Sequence, residues 1–178
     1  MTENDLFAFL IDNLQPLMVE HGAPADFELV RGFQVSQQGR TEPPCIYMAR
    51  QDLKQYGSPR DSYETDPETG LLRRINAQVM NLQIQFQGSL TYDPNTGLRV
   101  GDLLNLASRI MGTPQWRELL LTVGVQILRI ESNGMTYVQN DRDQFEAVPV
   151  LLATFSYTDT LISTTPVVTT IDYKVRRV

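Results

Sequence analysis

One cysteine, one histidine and one tryptophan in 178 residues leave little of the usual material of catalysis or metal binding. Cys45 has no partner for an intrachain disulfide, and a cysteine-rich zinc site is excluded. It follows two prolines and precedes Ile46-Tyr47, the setting of a small strand hydrophobe rather than a nucleophile. His21 stands at the end of a helical pattern, where the helix dipole favours it, and no serine near it lies in a Gly-x-Ser-x-Gly elbow. Walker loop, dinucleotide fingerprint and His-Glu-x-x-His motif are all missing. The expectation is a chain with no catalytic residue, no metal, no cofactor and no enzymatic activity.

Long apolar runs are missing too. No stretch approaches the ~18 to 20 apolar residues of a membrane span, and the acidic start (Glu3, Asp5) signals neither secretion nor a lipid anchor, so no membrane partner is expected. Basic charge is scarce: 15 Lys and Arg face 21 Asp and Glu, a net charge of −6. That is the wrong sign for gripping phosphates by counterion release, so tight DNA binding is not expected, while DNA passing without specific binding is compatible with it.

What is present is ordinary globular material. Apolar residues make up 42% and charged residues 20% of the chain, and at this length about 70% of the extended surface can be buried. One domain over 1–178 is expected, with no room for a second core.

Phe7, Leu10, Ile11, Leu14, Leu17 and Met18 repeat at helical spacing, predicting a helix over 5–20. Thr2 or Asn4 is its cap, Pro16 a kink or a shortening of its last turn, and His21-Gly22 its stop. Extended stretches at 27–35 and 45–53 follow, separated by a loop over 36–44, and their pairing is expected. Residues 56–76 carry Gly57, Pro59, Pro67 and Gly70 with charges of both signs, and read as a long exposed arm or two-stranded excursion, placed at about 57–76. Met80, Leu82, Ile84 and Phe86 then alternate with Asn81, Gln83, Gln85 and Gln87, the pattern of a strand with one buried face and one face of amides.

Asp93-Pro94-Asn95-Thr96-Gly97 repeats the form of Asp66-Pro67-Glu68-Thr69-Gly70; without similarity around them, the two read as independent tight turns. Helices are predicted over 100–111, with Asp102 near the start, and after Thr113-Pro114, with Trp116, Leu119 and Leu120 inward and Gly124 closing. The last third predicts strands at 125–130 and 135–138 around an Asn133-Gly134 hairpin turn, then 145–157, then 167–175. The fold class is α+β: a mostly antiparallel sheet with helices packed on one face and a long exposed arm or hairpin.

Asp61, Glu64, Asp66 and Glu68 cluster in the arm, but their spacing is not that of a calcium loop, and Arg60, Arg73 and Arg74 stand beside them as counterions. They read as a solvated mixed-charge segment. The basic tail Lys174, Arg176 and Arg177 either blunts a sheet edge or pairs with an acidic partner.

The order of elements, with the helix at the start, the strand holding Met80 to Phe86, the helical pair around Trp116 and the closing segment from Asp143-Gln144-Phe145-Glu146 to Ala153-Thr154-Phe155-Ser156-Tyr157-Thr158-Asp159, resembles the bacteriophage neck and tail-terminator proteins. The resemblance covers most of the chain and leaves the arm without a motif. It implies a structural virion protein, made in the host cytoplasm, that forms a homo-oligomeric ring, commonly a hexamer, at the head–tail neck. Such a ring caps the tail tube and joins it to the head connector, with tube, connector and sheath proteins as partners. A ring of identical subunits uses two different patches of each chain. The candidate subunit or partner interface is Arg60, Asp61, Tyr63, Glu64, Arg73 and Arg74 with Lys174, Arg176 and Arg177. The alternatives are a head-completion or tail-tube subunit or, from another class, a small ligand-binding or hydrolase domain using the arm's acids.

Overall fold

A computed structural model describes residues 1–32, 44–88, 99–139 and 145–165. Helix α1 (Glu3–Glu20) starts in a reciprocal cap: the Asp5 N–H donates to Thr2 Oγ1 at 3.2 Å and the Thr2 N–H donates to Asp5 Oδ2 at 2.7 Å. The helix passes Pro16 and ends at Glu20. Leu14 and Met18, fully buried on either side of the proline, offset its lost hydrogen bond. Gly22, at φ 110°, then lets the Ala23 N–H return to the Met18 carbonyl at 2.8 Å.

Strand β1 (Glu28–Arg31) runs parallel to β2 (Cys45–Thr65), so the two expected neighbours do pair, by a crossover rather than a hairpin. Gln15 of α1 serves β1 as a strand neighbour would, its side chain accepting from the Leu29 N–H and donating to the Phe27 carbonyl, both at 3.1 Å. Strand β3 (Leu72–Gly88) pairs antiparallel with β2 and with β5 (Phe145–Thr165), and β4 (Val125–Gln139) lies outside β5, giving the order β1-β2-β3-β5-β4.

One face of this sheet carries the core. Leu82, Ile84 and Phe86 stand in register with Phe155, Ala153 and Leu151, all fully buried. Against them pack Phe7, Leu10 and Leu14 of α1, Leu103, Leu104, Ala107 and Met111 of α2 (Val100–Met111), and Trp116 and Leu120 of α3 (Pro114–Thr122). Burial of each large apolar side chain contributes about 1.5–3 kcal/mol. Thr113 caps α3 by accepting from the Trp116 N–H at 3.3 Å, with Pro114 at the first helical position. Trp116 is a packing residue, its ring 6.0 Å from that of Phe9.

Two expectations are corrected. Asn133-Gly134 is not a hairpin turn: β4 runs through it to Gln139, and the register slip between Glu131 and Gly134 marks a bulge. Strand β5 does not stop at Tyr157 but continues to Thr165 alongside β3. The expected turn at 93–97, the loop residues 36–43 and the strand at 167–175 lie outside the described residues.

Candidate assembly surface

The far halves of β2 and β3, with the end of β5, leave the core and form a three-stranded arm. Its hairpin bends at a bulge where Gly57, Ser58 and Pro59 intervene between the pairs Tyr56–Val79 and Arg60–Ala77. Gly57 takes φ 73°, and Gln78, buried opposite, donates to the Tyr56 carbonyl at 3.0 Å and the Gly57 carbonyl at 3.2 Å. One glutamine thereby holds the carbonyls that the bulge removes from the ladder.

At the tip, Asp66 organises the turn. Its Oδ1 accepts from the Glu68 N–H at 2.9 Å, its carbonyl accepts from Gly70 at 2.9 Å, and Arg73 closes on its Oδ2. The Glu68 N–H, foremost, holds the Asp66 carboxyl below the usual carboxylate range. Gly70, at φ 68°, is the left-handed glycine expected of the Asp-Pro-x-Thr-Gly form. Halfway along the arm Asp61 accepts from Arg74 at 2.8 and 3.3 Å and from Asn76 at 2.8 Å. Arg74, then Asn76, lowers the Asp61 pKa, and Asp61 in turn raises that of Arg74. These two aspartates are committed to holding strands together.

Strand alternation divides the expected interface residues. Asp61, Tyr63 and Arg74 lie on the face continuous with the core side of β3, while Arg60, Glu64 and Arg73 lie on the other. The arm collects all six without making them one patch. Lys174, Arg176 and Arg177 lie outside the described residues.

Of the arm's exposed apolar side chains, sequence reasoning named only Tyr63. Tyr63 and Leu161 are exposed on the first face, and Tyr56, Val79 and Ile162 on the second; Leu161 is 71% and Tyr56 70% exposed. The signal was the β-rich run Thr158-Asp159-Thr160-Leu161-Ile162-Ser163-Thr164-Thr165, which lacks period-two contrast because both faces stand free of the core. Among the described residues both edges of the arm are open: β4 reaches no farther along β5 than Tyr157, and β1 pairs with β2 only from Cys45 to Met48. Unpaired strand edges and exposed apolar side chains are the features by which sheets associate with other chains.

Among the described residues no three His, Cys, Asp or Glu gather as a metal site, and no helix is long and apolar enough to cross a membrane. A family model described as E217 gateway protein gp29 matches residues 5–167, which includes the sheet, the helices and the arm. No curated protein matches the chain significantly.

Proposed function

We propose that this chain, which belongs to the E217 gateway protein gp29 family, is a structural protein of the bacteriophage head–tail junction that assembles with copies of itself into a ring. The observation that carries the ring is the arm: among the described residues it has two open edges and apolar side chains on both faces, on a chain whose core is complete without it. A hexamer capping the tail tube beneath the head connector accounts for such a protein, with tube, sheath and connector proteins as neighbours. Identical subunits closing a ring meet through two different patches, and an arm reaching from one copy to the next supplies one of them.

The net charge of −6 supports a conduit role, since a channel wall of that sign does not hold passing DNA. The arm's acids support structure over chemistry, because Asp61 and Asp66 are held by arginines and turn amides of the arm itself. The test is light scattering and electron microscopy of the purified chain, alone and with tail tubes. Closed rings that seat on tube ends are expected. A chain that stays monomeric at high concentration and ignores the tubes would remove the basis of this reading.

A further inference from the structure

A ring needs a second patch to receive the arm, and one lies at the base of the sheet. Where the first turn of α1 meets β1 and β2, Glu3, Phe7, Arg31, Gly32, Met48, Ala49 and Arg50 line an open pocket of about 440 Å³. Glu3 is shared between two guanidiniums, Arg50 at 3.0 Å and Arg31 at 3.2 Å, which among the described residues leaves one positive charge uncompensated. Arg31 is held in place by stacking over the Phe7 ring at 4.4 Å and by donating to Asn4. Phe7 and Met48 beneath are buried, so the surface the pocket offers is chiefly that of the two guanidiniums.

The arm tip has the complementary character. Asp66 is taken by Arg73, but Glu64 and Glu68 are exposed and join no ion pair among the described residues, and Leu71 stands exposed beside them. A tip cannot reach the pocket of its own chain: β2 runs from Arg50 through two bulges to Thr65, a span of roughly 40–50 Å at strand rise. Acidic tip and basic pocket therefore meet only between molecules.

We infer that the arm tip of one copy seats in the Arg31–Arg50 pocket of the next. The Glu64 and Glu68 carboxylates face the two guanidiniums. The contact is heterologous, so it propagates around a ring rather than stopping at a dimer. The inference rests on the ring reading above and specifies its contact.

The test uses two full-length variants: a tip variant, Glu64→Lys with Glu68→Lys, and a pocket variant, Arg50→Glu. Thermal melts establish that each is folded, and sedimentation measures assembly. Each variant alone is expected to assemble at least about tenfold more weakly than the natural chain, and raising the salt concentration weakens the natural chain in the same way. Mixed in equal amounts the two are expected to regain assembly, because the reversed tip fits the reversed pocket while the natural tip fits the natural pocket. Variants that assemble as well as the natural chain, or a mixture no better than its folded components, overturn the inference and leave the ring intact. A natural chain that never assembles overturns the ring reading itself.

Discussion

Leu161→Thr separates a side chain that serves assembly from one that serves folding. The residue projects from β5 where, among the described residues, β3 alone flanks it, and 71% of its surface is open to water, so truncation in an isolated subunit removes little packing. Threonine keeps a strand-favouring shape, and surface changes of this kind alter stability by about 0.5 kcal/mol or less. If a neighbouring copy covers that surface, the lost burial is most of a leucine, about 1–2 kcal/mol per contact, which is roughly a 5- to 30-fold weaker association. The assay pairs a melt of the dissociated chain with sedimentation across a concentration series. The expected outcome is an unmoved melting temperature and an assembly midpoint shifted to higher concentration. An unmoved midpoint, or a melt that falls as it does for a core residue, would refute the reasoning.

Phe155→Ala gives the contrasting result. Its fully buried ring faces Leu82 and Ile127, and removal is expected to cost about 3–5 kcal/mol in chemical denaturation of the dissociated chain. Gly70→Ala forces a side chain into φ 68° and is expected to destabilise the arm tip by about 1–2 kcal/mol; hydrogen exchange at 66–71 should speed up while exchange at 82–86 does not. The arm also carries a pH dependence of defined sign. Asp61 and Asp66 have folded pKa values below their unfolded ones, so their contribution is complete above the ordinary carboxylate pKa of about 4 and is lost as pH falls through the depressed folded values. Limited proteolysis at neutral pH and near pH 3 should show the arm becoming susceptible in acid before the core, and Asp61→Asn should remove part of that change.

Local chemistry made much of this fold legible. The 3.6-residue spacing from Phe7 to Met18, the Thr113-Pro114 start and the alternation from Met80 to Phe86 each specify an element through a single periodicity or cap, and each stands where it was expected. The likeness to phage neck proteins, drawn from the order of those elements and the segment around Phe155, agrees with the family match over 5–167. Other features depend on partners distant in the chain. Parallel pairing of β1 with β2 is a property of the sheet, not of either strand's sequence. The extension of β5 over 158–165 left no alternation to read, because no core lies against either of its faces. Asn133-Gly134 satisfies a turn and a bulge equally well, and only the partner strand decides between them. The candidate interface was gathered by nearness in sequence, so Arg60 and Asp61 were grouped although alternation sends them to opposite faces. Arg31 and Arg50 were invisible as a pair, since Glu3 joins them only after α1 has folded onto the sheet.

The most direct measurement is a density map of the assembled head–tail junction at a resolution that traces strands. The account predicts copies of this chain in a closed ring, each arm covered on both faces, with its Asp66–Leu71 turn against the Arg31 and Arg50 side chains of an adjacent copy. Arms standing free in solvent, or a solitary copy bound to other proteins without touching its own kind, would contradict it.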